Sequence, residues 1–327
     1  MGFLATPEQR DFGRTLDRML TAADTPGAVR AWAAGDHGPG RALWSRLAEA
    51  GVPALAVPAA YEGGLGPLPV ELAISYVELG RHAVPGPLVE TAVAVSLLAD
   101  AAPDAAKVWL PRVASGDALL SVRSPGSPFA LDAEVADAVL TVEGDTLRIA
   151  PIAPGHGGPA EASADPARRL YRVAADGEPL AHGGEVAEAM SRAMTWARLL
   201  TAAQSLGVGL TLLHRTVAYV GQRRQFGREI GSFQAVKHRL ADALLALEFA
   251  RPLVLGAAVT RDPADVAAAK VAAGEAAYTA ARTALQLHGA IGYTEELDLS
   301  LWLRKARPLR DAWGTPGECR ETVLRDV

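Results

Sequence analysis

The segment from residue 184 to the C-terminus constrains the fold most, because it is long, rich in alanine and poor in helix-breaking residues. Apolar residues recur in it at the three- and four-residue spacing of amphipathic helices. We expect helices over residues 185–222, 232–260, 263–288 and 295–307, followed by a terminal segment after residue 315. Several long amphipathic helices in succession predict a helical bundle.

Two earlier segments differ from the bundle and from each other. Residues 1–115 predict helices, the first over 7–23, separated by the Pro- and Gly-rich connector "GVPALAVPAAYEGGLGPLP". Residues 116–182 contain short β-type runs, and "DAVLTVEGDTLRIA" predicts a hairpin because a Gly-Asp pair separates two alternating runs. The composition of residues 150–167 predicts a loop. A mainly helical protein with a small β domain follows, divided at 1–115, 116–183 and 184–327.

Charge and cysteine content exclude several classes of function. The formal net charge of −5 argues against nucleic-acid and anionic-membrane partners. The single cysteine, Cys319, excludes an intrachain disulfide and a cysteine-cluster metal site, so we expect no metal and a reducing cytoplasm. No apolar run approaches the roughly 18 to 20 residues of a membrane-spanning helix, and none is expected.

Two glycine-containing segments at predicted helix ends contain most of the candidate ligand-binding residues. They are "QRRQFGREIGSFQ" and "ALQLHGAIGYTEELDLSLWLRKARPL". Backbone freed by glycine can approach a phosphate closely, and arginine offers it a planar charged fork. The residues alone leave open a simpler interpretation, in which the arginines form a solvated charge run and the glycines only end helices. The helix after the first segment has a predicted core face, formed by Phe233, Val236, Leu240, Leu244 and Leu247.

The chain resembles the acyl-CoA dehydrogenase family of flavoproteins. "RRQFGREIGSFQAVKHRLAD" and "LQLHGAIGYTEELDLSLWLRKA" resemble the two signature regions of that family's C-terminal bundle. "LWSRLAEAGVPALAVPAAYEGGLG" and "ELGRHAVPGPLVET" resemble its N-terminal helical domain. The resemblance implies an N-terminal helical domain, a middle β-barrel-like domain that is shortened here, and a C-terminal four-helix bundle. It also implies a tetramer with FAD bound between subunits, an acyl-CoA substrate and an electron-transfer flavoprotein as electron acceptor.

The same resemblance implies which residues contact FAD. Those matching the pyrophosphate and adenosine end of an adjacent subunit's FAD are Arg223, Gln225 and Phe226, with Gln234 as a further contact. A glycine turn that passes the same FAD corresponds to Gln286, Gly289, Ala290 and Gly292, although the family often has a second glycine at the position of Ala290. Thr315 matches a threonine near the flavin and its phosphates.

The chain departs from the family where the catalytic base should be. Members place a glutamate directly before the Gly-Thr of the C-terminal turn, where this chain has Trp313, or on the long helix before an arginine, where it has Ala197 before Arg198. The side chains of Trp313 and Ala197 cannot accept a proton, so the catalytic residues stay unassigned. The flavin-contacting segment of the middle domain corresponds only loosely to "SVRSPGSP".

The residues that match the family are those implied to contact a neighbouring subunit's FAD. The residues that do not match are those that would build the chain's own active site. This pattern resembles the smaller subunits of actinobacterial heteromeric acyl-CoA dehydrogenases that act on sterol side chains. We therefore expect a subunit of a heterotetramer whose partner supplies the glutamate. The alternatives are a self-sufficient flavoenzyme with a displaced base, for which Asp311, Glu295 and Glu296 are candidates, and a non-catalytic scaffold.

Overall fold

The computed structural model describes residues 4–123, 125–151 and 160–325. Helices occupy both ends of the chain and strands the middle, as expected. The helices are α1 (Pro7–Thr21), α2 (Thr25–Ala33), α3 (Gly38–Glu49), α4 (Pro69–Arg81), α5 (Leu88–Ala101), α6 (Pro103–Ala114), α7 (Gly184–Gln222), α8 (Gln234–Thr260), α9 (Pro263–His288), α10 (Leu299–Asp311) and α11 (Pro316–Arg325). The strands are β1 (Leu120–Arg123), β2 (Phe129–Leu131), β3 (Ala138–Glu143), β4 (Thr146–Pro151), β5 (Leu170–Arg172), β6 (Glu178–His182), β7 (Arg224–Gln225) and β8 (Arg228–Glu229).

The first six strands form one sheet in the order β5-β2-β1-β3-β4-β6. Strands β1 and β3 are parallel, and the remaining neighbours are antiparallel. The predicted hairpin is confirmed, since β3 and β4 pair from Glu143 and Thr146 outward around Gly144, whose φ is +59°. Of the predicted loop over 150–167, residues 152–159 lie outside the described residues.

The chain folds into two compact units, each assembled from segments that are distant in sequence. The first consists of Met1–Pro26, Ala73–Ala83 and Arg198–Val327, and the second of Gly27–Leu72 and Val84–Ala197. The helices α8 to α11 belong to the first unit and the six-stranded sheet to the second. This division into two units differs from the division into three domains expected from the sequence. The three-domain boundaries stay a prediction.

The centre of the bundle is α9, which packs against α8, α10 and α11. Most of its buried side chains are alanines, so neighbouring helices can approach closely without large side chains between them. The helix starts sharply because Asp262 accepts hydrogen bonds from the amides of Ala264 and Asp265, with Pro263 in the first helical position. It ends at Gly289, whose φ of +63° favours glycine.

The faces of α8 differ in part from the prediction. Its buried residues include Ala243, Leu247, Ala250 and Val254, whereas Leu244, predicted for the core, is exposed. The outward face also carries apolar side chains, and Phe249 is 71% exposed. This helix is long and apolar enough to cross a membrane by length and composition, with 39% of its most apolar window buried. An apolar outward face on a bundle helix is equally typical of a surface that binds another chain.

Candidate cofactor site

A tight hairpin follows α7 and carries the predicted site residues Gln225 and Phe226, and Arg223 directly precedes its first strand. Strands β7 and β8 pair through Gln225 and Arg228, and the two residues between them, Phe226 and Gly227, have φ values of +54° and +81°. Two successive positive φ angles are those of a type I′ turn, which matches the right-handed twist of the strands. A phenylalanine rarely adopts such a conformation. The turn holds its ring outward, and Phe226 is 89% exposed.

The hairpin is anchored to the entrance of α8. The ring of Phe233, the residue before the helix, lies edge-on to Phe226 with centroids 6.2 Å apart. The guanidinium of Arg228 covers the same ring at 4.0 Å from its centroid. Gln234 then begins α8 with its side chain exposed. The arginine, aromatic and amide groups of the first segment therefore surround one helix entrance.

The second segment lies beside the first. Tyr219, one turn before the hairpin, stacks on His288 with ring centroids 4.1 Å apart, and its hydroxyl donates to the carbonyl of His288 at 3.5 Å. From α8, Nη1 of Arg239 donates to Oε1 of Gln286. Because His288 and Gln286 both belong to the last turn of α9, these two contacts bring the hairpin, the start of α8 and the glycine turn together at one end of the bundle.

The two glycines of this turn, Gly289 and Gly292, are glycine for different structural reasons. Gly289 is exposed with a φ of +63°, and a Cβ there would meet no atom within 4 Å. Ala290 is also exposed, whereas Gly292 is buried. A Cβ on Gly292 would lie 3.1 Å from the Cβ of His288 and 3.2 Å from the carbonyl oxygen of Leu285, so the tight packing favours a glycine here. The open backbone for a ligand is at Gly289 and Ala290.

Thr315 lies apart from the other eight predicted residues. Lys270 near the start of α9 donates to the carbonyl of Gly314 at 3.3 Å. Because an α-helix rises about 1.5 Å per residue, Lys270 and Gln286 are roughly 24 Å apart along α9. The structure thus places Thr315 at the opposite end of the bundle. Its hydroxyl and amide hydrogen-bond to Glu318 at 2.9 and 2.7 Å and cap α11, which is a structural role of its own.

The turn for which the resemblance implies the catalytic base is held through its backbone and has no carboxylate at position 313. Trp313 has a φ of +58° and is half-buried, and Nε of Arg198 donates to its carbonyl at 3.3 Å. On the other side, Nζ of Lys270 donates to the carbonyls of Leu309 at 3.1 Å and Arg310 at 2.8 Å, besides that of Gly314. Burial lowers the pKa of Lys270 to about 8. The second base position, Ala197, is fully buried.

The candidate replacement bases are on the surface. The side chain of Asp311 is 42% exposed and lies 3.5 Å from Nη1 of Arg310. Glu295 pairs with Arg304 through a side chain that is 72% exposed, and Glu296 is exposed. A base for proton abstraction beside a thioester needs a water-poor pocket, and these positions do not provide one within the described residues.

The β domain has an arginine where the family places a flavin-contacting segment. Arg123 ends β1, its guanidinium pairs with Glu143, and Nη1 donates to the carbonyl of Val173 at 3.2 Å. Its side chain is 13% exposed. Ser124, the next residue of "SVRSPGSP", lies outside the described residues. The guanidinium is thus committed to groups of the chain's own β domain.

The sequence analysis did not predict a half-buried ionic cluster in the first unit. Nε2 of His82 lies 2.9 Å from Asp17, and Glu78 lies 3.3 Å from Nε of Arg81. Burial raises the pKa of Glu78 to about 7, with Arg81 opposing that increase. Ligand atoms of Asp17, Glu78 and His82 lie within 4.8 Å of one another, but the adjacent guanidinium disfavours a cation there. No sequence motif signals the cluster, because its members come from α1, α4 and the residue that follows α4.

Comparisons with known proteins agree with this architecture. Residues 6–117 match the family described as acyl-CoA dehydrogenase, N-terminal domain, and residues 186–327 match acyl-CoA dehydrogenase, C-terminal domain. Acyl-CoA dehydrogenase IpdE2 of Mycobacterium tuberculosis is 36% identical over 99% of both chains. Among solved structures, the ChsE4-ChsE5 complex from Mycobacterium tuberculosis is similar, with a TM-score of 0.84, 26% identity and coverage of 100% of this chain and 98% of that one. The structure described as the Tcur3481-Tcur3483 steroid ACAD G363A variant is also similar, with a TM-score of 0.82, 25% identity and coverage of 97% of each chain.

Proposed function

This chain belongs to the acyl-CoA dehydrogenase family, and we propose that it is one subunit of a heteromeric member whose partner chain supplies the catalytic glutamate. FAD is the cofactor of the family. The observation that carries the proposal is a contrast between two ends of the bundle. One end presents exposed residues suited to a cofactor, and at the other the turn for the base is intact but holds Trp313.

The exposed end fits the adenosine and diphosphate half of FAD. Arg223 makes no ion pair among the described residues, so its charge is available to a diphosphate. Phe226 presents an aromatic face to solvent, which suits stacking on a nucleobase. Gly289 and Ala290 leave open backbone beside them. In our proposal these groups, with Gln225, Gln234 and Gln286, hold the FAD whose flavin lies in the partner's active site.

Thr315 has a different place in this proposal. It lies at the opposite end of α9 from Gln286, so the same chain cannot direct both residues to one half of one cofactor. We assign Thr315 to the chain's own degenerate site. There its hydroxyl caps α11 beside Trp313.

The chemistry divides between the two chains. When bound, FAD accepts the hydride that leaves the β-carbon of the acyl thioester. The partner's glutamate removes the α-proton, a step for which Trp313 and Ala197 have no basic group. This chain's residues bind and orient the cofactor, and the outward apolar face of α8 buries itself against another subunit.

Two features of the similar proteins support the finer proposals. Both solved structures are named by two gene products, which agrees with a heterotetramer. One is described as a steroid ACAD, so we propose a CoA thioester with a steroid-derived acyl group as substrate. An electron-transfer flavoprotein as acceptor and a cytoplasmic location complete the proposal.

Matched substitutions in the purified complex test the assignment of the base. Replacing the partner's glutamate with glutamine should reduce kcat by at least about 100-fold, because general-base catalysis contributes roughly that much or more. Asp311→Asn in this chain should leave kcat within about twofold. A large loss of kcat from Asp311→Asn, with the partner's substitution tolerated, would instead support a self-sufficient enzyme with a displaced base.

A further inference from the structure

Arg239 is an exposed arginine at the edge of the cofactor site that the family resemblance does not assign. It lies in the second turn of α8, and its Nη1 donates to Oε1 of Gln286 on α9. Gln286 lies less than one turn before Gly289, the start of the open glycine turn. The guanidinium of Arg239 is therefore held next to residues proposed to contact FAD.

The charge of Arg239 is not neutralised by the protein. Among the described residues it forms no ion pair, and its one partner, Gln286, is neutral. Two arginines elsewhere on the surface of the bundle are paired, Arg224 with Glu229 at 3.1 Å and Arg251 with Glu248 at 3.0 Å. Like charges left unpaired in one place raise the local potential and attract an anion.

Arg223 and Arg282 add to this unpaired charge. Both are exposed and form no ion pair within the part of the chain that the structure describes. Arg282 lies one turn before Gln286 on the same face of α9. The N-terminus of α8, which is the positive end of its helix dipole, lies at the same end of the bundle. Its cap residue, Phe233, has no side-chain acceptor for the first amides.

The contact with Gln286 also prepares Arg239 to bind. A guanidinium has five N–H donors, and the amide oxygen of Gln286 takes one of them. The remaining donors can form the paired hydrogen bonds that phosphate oxygens accept. Holding a long side chain in place before binding reduces the entropy lost on binding.

We propose that Arg239 donates to the diphosphate of the FAD shared with the partner chain, as a second guanidinium besides Arg223, and that Gln286 positions Arg239. The inference rests on the proposed function, because it needs the cofactor at this end of the bundle. It assigns Gln286 a role through Arg239 in addition to any contact of its own. It also makes the affinity for FAD depend on salt more strongly than one arginine would.

The test measures the dissociation constant of FAD from the purified two-chain complex, after removal of the cofactor and readdition, by flavin fluorescence. Arg239→Met keeps an unbranched, flexible side chain and removes the guanidinium with its charge. We expect the dissociation constant to increase about 10- to 100-fold at low salt, the effect of losing hydrogen bonds from a charged group. The factor should decrease as salt is added. Arg251→Met, on the same helix roughly 18 Å away, is the matched control and should change affinity less than about twofold.

One further variant, Arg223→Met, separates the possible failures. If Arg223→Met weakens FAD binding and Arg239→Met does not, the inference about Arg239 is wrong while the proposed function stands. If neither variant affects FAD binding, the cofactor does not bind at this end and both proposals are wrong. Size-exclusion chromatography of each variant confirms assembly, which exposed side chains such as these should not disturb.

A double-mutant cycle tests the positioning role of Gln286. Gln286→Leu removes the acceptor that holds the guanidinium, so its effect should be much smaller in an Arg239→Met background than in the wild type. Additive effects of the two substitutions on the dissociation constant would show that Gln286 acts independently of Arg239.

Discussion

At the scale of single residues, Trp313 stands where the family resemblance implies the catalytic glutamate, in a turn that is held through its backbone. Arg198 and Lys270 hold the turn from two sides through carbonyl groups, which places no demand on the side chain at position 313. A change from glutamate to tryptophan there removes a proton acceptor without removing those hydrogen bonds. The positive φ of Trp313, unusual for a large side chain, is stabilised by the same two cations.

Lys270 should therefore contribute strongly to the stability of the bundle. Lys270→Met fills a similar volume but leaves the carbonyls of Leu309, Arg310 and Gly314 without their donor. We expect the free energy of unfolding to decrease by about 2–4 kcal/mol, measured by chemical denaturation. Lys107→Met is the control, since this exposed lysine only pairs with Asp104 on the surface, and it should leave the free energy of unfolding nearly unchanged.

The pH dependence of this difference identifies the buried ammonium group. Burial lowers the pKa of Lys270 to about 8 from an ordinary value of 10.5, so between these pH values the unfolded chain binds more protons than the folded one. The wild type should gain stability relative to Lys270→Met as pH increases through that range. A difference that stays constant from pH 8 to 10.5 would contradict the burial of a charged amine.

At the scale of elements, α8 serves the interior and the exterior with different faces. Its inner face carries small residues that fit against α9, and its outer face carries Leu244, Leu245, Phe249 and Leu253. The sequence predicted the helix but placed Leu244 wrongly on the core face with Leu247. An apolar stripe indicates that a helix surface is covered, but it does not indicate whether the same chain or another chain covers it. A second chain is the covering element that the proposed heteromer provides.

Phe249→Asp should weaken that assembly. Phe249 is 71% exposed in the single chain, and an aspartate in a buried apolar interface would be desolvated without a partner. Interface aromatics of this kind often cost about 2 kcal/mol or more, so we expect the two chains to dissociate at least about 25-fold more readily, measured by sedimentation. Leu324→Asp on α11, at the same 71% exposure, should assemble normally. Unchanged assembly of Phe249→Asp would remove α8 as the interface.

Element boundaries show where local signals fail. The helix predicted over 263–288 is confirmed at both ends, since Asp262, Pro263 and Gly289 are strong local signals. The helix predicted over 295–307 instead runs Leu299–Asp311, because a 3-10 turn precedes it and Pro308 lies inside the helix rather than ending it. The first helix ends at Thr21, two residues earlier than predicted, and α2 follows as a separate helix.

At the scale of the whole molecule, the order of helical, β and helical segments was predictable and the grouping of the site was not. Periodicity and turn residues are local, so they predict elements and fold class. The separation of Thr315 from Gln286 depends on their places along α9, and the pairing of Arg239 with Gln286 depends on how α8 and α9 pack. The lack of a carboxylate at the two positions where the family resemblance implies the base is visible in the sequence itself, at Trp313 and Ala197, and the assignment of the base to a partner chain stays a prediction.

The content of FAD tests the central claim most directly. The chain purified alone and its complex with the proposed partner chain should be compared by flavin absorbance near 450 nm and by protein concentration. If this chain clamps a cofactor whose flavin lies in the partner, the complex should hold about one FAD for every two chains, and the lone chain should be nearly colourless. One FAD per chain in the lone protein, with turnover of an acyl-CoA, would contradict the account.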